Sequence, residues 1–328
     1  MQSASGAENR SRRLVQHECF LGDESTYSEG SSANRWKQSM KIKDILSNKR
    51  FTLSFEVFPP KRDGNLEALF DTISVLIKFK PDFISVTYGA GGSNKDLALE
   101  IGSRVKNQLQ QEVLAHLTCV GATASDIAEI LSAFRKEHIE NILALRGDPP
   151  AGTEKFKRTE GGFAYASELV AFINSEGSFS IGAAGYPQGH IEAMSLEADI
   201  INLKRKVDAG TDFLITQFFF DNDDFYKFLD KTAQAKITIP IIPGIIPILN
   251  YKQIKRMAQL NGHELPVRLN KYMESIAEHP AEVEKYGIDY ATRQAQELLN
   301  YGVRGIHFYC MNRSAPVQQI LSNLSLPR

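Results

Sequence analysis

From Phe51 onward the chain alternates between short runs of β-branched and aromatic residues and longer segments whose apolar positions recur at helical spacing. The short runs are Thr52 to Phe58, Phe83 to Tyr88, Val113 to Cys119, Asn141 to Leu145, Ser180 to Tyr186, Phe213 to Phe219, Ile239 to Ile242 and Gly305 to Tyr309. They predict eight strands. Between them, sets such as Leu66, Leu69, Ile73, Leu76 and Ile77, or Ile127, Ile130, Leu131 and Phe134, form one apolar stripe on a helix. Strand and helix in repeated alternation predict an α/β fold, a closed parallel (β/α)8 TIM barrel. An open doubly wound sheet is the alternative; it calls for a G-x-G-x-x-G turn after the first strand, where this chain has FPPKRDG. The connection from Pro243 to Arg304 holds helical patterns at Tyr251 to Leu260, Val267 to Ala277 and Ala281 to Tyr301, so extra helices precede the last strand.

Ser, Gly, Glu and Arg dominate residues 1–40, with too few periodic apolar positions to fold alone. We expect a disordered tail there and a single barrel catalytic domain over 41–328. Apolar residues make up 42% of the chain, enough for a sizeable core, and the net charge of -1 argues against a nucleic-acid or membrane-surface role. Cys19, Cys119 and Cys310 are widely spaced and match no zinc pattern, which suggests a reducing compartment and no metal site. No apolar run reaches the roughly 18 residues of a membrane span, so the cytoplasm is the expected location.

Glu56 stands out as a carboxylate within the apolar strand FTLSFEVF, which two prolines then stop. Burial favours the protonated form of a carboxyl group, which suits a general acid; a Glu paired with a core Arg or Lys is the structural alternative. In a barrel of this kind chemistry gathers at the C-terminal strand ends. There the sequence places Thr87 and Tyr88, His116 and Thr118, Arg146, Gly147 and Asp148, Tyr186 and His190, Gln217, and Tyr309 followed by Asn312 and Arg313. Singly, each has a bland explanation: His116 as a core histidine, Arg146 and Asp148 paired with each other, Gly89 to Ser93 as a turn. Together they point to a site. Asp199, Asn202, Arg205 and Lys206 share roughly one face of a helix starting near Glu192, a face suited to a pyrophosphate and its ribose. No G-x-S-x-G turn or Ser–His pairing at a strand end suggests a serine nucleophile.

The motifs SFEVFPPK, SVTYGAGGS, AHLTC, ALRGDPP, NLKRKVDAG, ITQFFFD, IIPGIIP and HFYCMNR, in this order, resemble the methylenetetrahydrofolate reductases in their short bacterial form, over about Ile42 to Leu324. The resemblance implies an FAD enzyme that NADH or NADPH reduces. By a ping-pong mechanism it then converts 5,10-methylenetetrahydrofolate to 5-methyltetrahydrofolate, the methyl source for methionine synthesis. It implies that Glu56 is the general acid that helps open the folate's bridging methylene, and that Asp148 is a carboxylate near flavin and pterin. It assigns flavin contacts to Thr87, Tyr88, Ala90, His116, Arg146, Gly147, Asp148, Tyr165, Ala166, Tyr186, His190, Ala193, Asp199, Asn202, Arg205 and Lys206. Gln217, Gln253 and Arg313 match folate-contacting positions, Gln217 also facing the nicotinamide, and Tyr309 lines the same pocket. Met257 stands where an enteric relative carries an aromatic residue. The family also implies a homo-oligomer, and a chain ending at Arg328 is expected to lack the regulatory domain of eukaryotic forms.

Two other classes are open to the residues alone. A barrel lyase would use Lys204 or Lys206 as a Schiff-base nucleophile, though both lie in a helical pattern among like charges. A barrel that only binds a ligand has no need of an acid at Glu56.

Overall fold

The computed structural model describes residues 40–60, 64–88, 95–148 and 156–327. All of the expected tail 1–40 except Met40, and the candidate Ala90 with the rest of the GAGGS stretch, lie outside these residues. The strands are β1 (Thr52–Val57), β2 (Phe83–Val86), β3 (Val113–Thr118), β4 (Asn141–Leu145), β5 (Ser180–Gly185), β6 (Phe213–Thr216), β7 (Ile241–Ile242), β8 (Gly244–Ile245) and β9 (Gly305–Tyr309). All pair in parallel in the order β7-β6-β5-β4-β3-β2-β1-β9-β8. This is the predicted barrel with one stave broken. Of the run Ile239 to Ile242 only Ile241–Ile242 is strand, and a second short strand outside the run, Gly244–Ile245, follows Pro243, which has no N–H to give to a ladder. β7 stays on β6, while β8 crosses to β9, and the Pro243 carbonyl accepts from His307 N at 2.9 Å.

The layer around the barrel comprises α2 (Leu66–Ile77), α3 (Lys95–Ser103), α4 (Ala124–Lys136), α5 (Ala166–Ser175), α6 (Leu196–Asp208), α7 (Asn222–Gln234) and α11 (Ser314–Ser322). Between β8 and β9 lie α8 (Tyr251–Leu260), α9 (Val267–Ser275) and α10 (Pro280–Tyr301), as the periodicity predicts. Polar caps set the helix starts. Thr123 and Asp126 form a reciprocal capping box on α4, and Ser195 Oγ accepts from Ala198 N at 3.2 Å on α6. That cap is why α6 begins at Leu196 rather than near Glu192.

One helix escapes the sequence reading. α1 (Ile42–Asn48) covers the N-terminal end of the barrel and buries Ile42 and Leu46 against Phe83, Leu114, Leu143 and Phe213. Its first N–H groups are received by barrel polar atoms, Ile42 N by Asn141 Oδ1 at 2.7 Å and Lys43 N by Ser180 Oγ at 3.1 Å. α1 thus covers this end of the barrel, and its N–H groups occupy the polar atoms there.

Candidate active site

Inward-facing side chains become polar along the strand direction. On β1, Phe55 and Val57 point into the helix layer, so the alternation turns Ser54 and Glu56 inward. The parallel register sets Ser54 beside His307, Glu56 beside Tyr309, and Glu56 beside Ser85. The His307 ring stacks on Phe83 of the apolar layer, with centroids 6.3 Å apart, and meets Tyr309 edge-on at 5.2 Å.

Glu56 is thus held between two imidazoles. Its Oε2 lies 3.4 Å from His116 Nε2 and 3.8 Å from His307 Nε2. Each ring is anchored by a serine of the sheet: Ser85 Oγ at 2.6 Å from His116 Nε2, and Ser54 Oγ at 2.8 Å from His307 Nδ1. No Lys or Arg among the described residues pairs with this carboxylate, so the ion-pair alternative raised by the sequence gives way to a histidine clamp. Burial holds the His116 pKa below its ordinary 6.5, which keeps that ring neutral at pH 7. The Glu56 side chain retains 17% exposure, so the clamp leaves it open toward the mouth of the barrel.

A second group forms where β4 and β5 end. Arg146 does not pair with Asp148; its guanidinium grips Glu192 through both nitrogens, Nη2 to Oε1 at 2.8 Å, and lies over the Phe156 ring. Arg146 holds the Glu192 carboxyl below its ordinary range. Gly147 adopts φ +87°, a left-handed conformation that suits glycine, and turns the chain so that Asp148 is exposed. Tyr186 meets His190 edge-on at 4.8 Å, and burial raises its pKa to about 12. His190 Nδ1 accepts from Glu192 N at 3.1 Å, which places the proton of the neutral ring on Nε2. Tyr165 is 63% exposed just before α5 and its carbonyl takes Cys119 Sγ, while Ala166 and Ala193 are half-buried and Tyr88 is buried. Thr87 N continues the ladder to Val57 O at 3.0 Å.

The α6 face divides. Asp199 is buried and Lys206 turns its ammonium inward to Ala184 O at 2.7 Å, whereas Asn202 and Arg205 are exposed. Burial lowers the Lys206 pKa to about 8 against the pull of Asp199, and burial raises that of Asp199. Arg205 donates to Asn202 Oδ1 at 3.1 Å and has no carboxylate partner among the described residues. Lys204 pairs with Asp208.

At the β6 end, Gln217 Oε1 accepts from Phe218 N and Nε2 donates to Asn261 Oδ1. Tyr309 OH donates to Thr216 O at 2.7 Å, and burial raises its pKa well above 10. Gln253 is exposed on α8, Met257 is half-buried one turn later, and Arg313 is exposed and paired with Glu284 at 2.9 Å.

Several groups here were not singled out from sequence: Ser54, Ser85, His307, Glu192, Thr216 and Asn261. For two of them a period-2 count carries the signal, since Ser54 and His307 lie two residues before Glu56 and Tyr309.

A family model described as methylenetetrahydrofolate reductase matches residues 41–325. The chain belongs to that family. Among its methylenetetrahydrofolate reductase relatives, "Methylenetetrahydrofolate reductase (NADH) 1" of Arabidopsis thaliana is 42% identical over 297 residues, covering 87% of this chain and 50% of the relative. The "5,10-methylenetetrahydrofolate reductase" of Escherichia coli K12 is 37% identical over 265 residues, covering 81% and 88%. The chain thus spans about half the length of the plant relatives and most of the bacterial one. An uncharacterized Clostridium thermocellum protein, described as binding two copies of 5-methyl-5,6,7,8-tetrahydrofolic acid, superposes with a TM-score of 0.59 at 11% identity, over 87% of this chain and 97% of that one. That likeness supports the barrel fold of this methylenetetrahydrofolate reductase family member. No helix among the described residues is long and apolar enough to cross a membrane.

Proposed function

We propose that this chain reduces 5,10-methylenetetrahydrofolate to 5-methyltetrahydrofolate with NADH or NADPH and bound FAD, the two substrates taking turns in one pocket. The carrying observation is the Glu56 clamp at the barrel mouth in a chain of this family. The relatives' names supply the substrate class, and the plant names favour NADH.

The donor set fits FAD. An inward ammonium at Lys206 and an exposed guanidinium at Arg205 without a carboxylate suit phosphate oxygens. Thr118 Oγ1 is a buried hydroxyl with no hydrogen-bond partner among the described residues, at the strand end beside Gly147. Tyr165 offers an exposed ring. We assign FAD to these residues together with Thr87, Tyr88, Ala90, His116, Arg146, Gly147, Asp148, Ala166, Tyr186, His190, Ala193, Asp199 and Asn202. When bound, FAD supplies hydride acceptance from the nicotinamide and hydride donation to the folate, which makes the kinetics ping-pong.

Glu56 holds the proton delivered to the folate nitrogen that leaves the bridging methylene. Neutral His116 and the Ser54-anchored His307 fix the carboxyl so that its free edge faces the pocket. Gln217 and Gln253 present amides, Arg313 a cation, and Tyr309 a wall with its hydroxyl already engaged by Thr216. We assign the exposed Asp148 to the pterin's donors. The net charge of -1 favours small-molecule partners over nucleic acid, and we take from the family resemblance that the chain works as a cytoplasmic homo-oligomer.

Glu56→Gln tests the assignment. Reduction of the FAD-loaded protein by NADH should continue at the parent rate, while folate-dependent reoxidation should fall by about 100-fold or more. Equal loss of both half-reactions, or of neither, contradicts the role.

A further inference from the structure

Gln217 is oriented by a chain of hydrogen bonds that leaves no choice in which way its amide faces. Phe218 N can only donate, and it meets Gln217 Oε1 at 3.0 Å. Met257 O can only accept, and it meets Asn261 Nδ2 at 3.0 Å. Between these fixed ends, Gln217 Nε2 donates to Asn261 Oδ1 at 3.2 Å. Rotating either amide by half a turn sets donor against donor or acceptor against acceptor. The orientation leaves one N–H and one lone pair of Gln217 for ligands.

Asn261 is well placed to enforce this. It ends α8, its own N–H bonded to Met257 O and Ala258 O, so its position follows the helix that carries Gln253 and Met257. Two residues on, His263 Nε2 donates to Gly189 O at 3.1 Å, in the loop that presents His190 and Glu192. The end of α8 is therefore fastened to both the β6 and β5 sides of the mouth.

We propose that Asn261 is a positioning residue for Gln217, setting which atoms of that amide donate and accept toward the folate. This rests on the reading that Gln217 contacts folate. The hydrogen bond it supplies is of the ordinary neutral kind, so its removal should weaken folate binding by about fivefold.

The test uses the full-length FAD-loaded protein and follows folate-dependent reoxidation. Asn261→Ala should raise KM for methylenetetrahydrofolate about fivefold with kcat unchanged. In a Gln217→Ala background the same substitution should have no further effect, because Asn261 then has nothing to orient. A purely structural role predicts the same KM loss in both backgrounds, and that result overturns the proposal. So does a KM unchanged by Asn261→Ala. Should Asn261→Ala not fold, Asn261→Leu removes the amide acceptor at similar volume, and the same comparison decides. A parent protein whose reduced flavin is not reoxidised by folate overturns the underlying reading and this inference with it; a normal parent with insensitive variants overturns this inference alone.

Discussion

His307 points Nε2 at Glu56 Oε2 across 3.8 Å, while Ser54 holds Nδ1 of the same ring at 2.8 Å. That Nε2 is buried and has no hydrogen-bond partner among the described residues. A buried imidazole nitrogen left short of a bond is costly, and a small movement of the carboxyl would complete it. The Glu56 carboxyl is thereby set beside a ring that the sheet itself fixes.

His307→Ala should consequently slow folate-dependent reoxidation by about 10- to 100-fold and alter its pH profile, with reduction by NADH preserved. Stopped-flow absorbance separates the two half-reactions. Equal slowing of both would mean that His307 only supports the core.

The carboxyl itself was conspicuous in the sequence because it broke an apolar strand; its partners were not. Ser54 and His307 read as ordinary strand residues until β1 and β9 are placed side by side, a pairing of residues 253 apart that local patterns do not encode. The barrel was legible because strands and helices each leave a period. The split at Pro243 was blurred by the apolar residues on both sides of it, and α1 by its length of 7 residues, too short for a clear stripe. Arg146 and Asp148 are near in sequence, yet Gly147 turns the chain and Glu192 arrives from another loop. Long-range partners, rather than the groups themselves, are what the sequence withheld.

Lys206 gives a pH dependence with a definite sign. Its pKa falls from 10.5 to about 8 on folding, so between those values the unfolded chain binds more protons than the folded one. Stability of the flavin-free protein should accordingly rise with pH from about 8 toward 10.5, this lysine's penalty being full below 8. If Lys206 holds the phosphates as proposed, retention of FAD should show the opposite trend above pH 8, as its ammonium loses its proton. Lys206→Met should remove this pH dependence and weaken FAD binding at least tenfold. Thermal melts with and without FAD check both arms.

Asn312 stitches the ends of β1 and β9. Its Oδ1 accepts from Phe58 N at 3.0 Å and its Nδ2 donates to Phe58 O at 2.7 Å, from a residue at φ 53°. Asn312→Gly should cost about 1–3 kcal/mol in urea unfolding through the lost bonds, and Asn312→Ala about 1 kcal/mol more because alanine resists that φ. Equal costs would show that backbone strain is not involved.

Gly244 leaves no space for a side chain. An added Cβ would sit 2.4 Å from Thr216 O and 2.6 Å from the Tyr309 ring. Gly244→Ala should destabilise the fold by about 1–3 kcal/mol and displace Tyr309 from Thr216, raising KM for the folate. Denaturant titration and steady-state kinetics on one preparation would show both effects or rule them out.

The most direct measurement is the visible absorption spectrum of the purified chain loaded with FAD, recorded without oxygen before NADH, after NADH, and after adding methylenetetrahydrofolate. Its flavin bands should bleach with NADH and return with the folate, while those of Glu56→Gln should bleach and stay bleached. A chain that takes up no FAD, or whose bleached flavin ignores the folate, contradicts the proposed function.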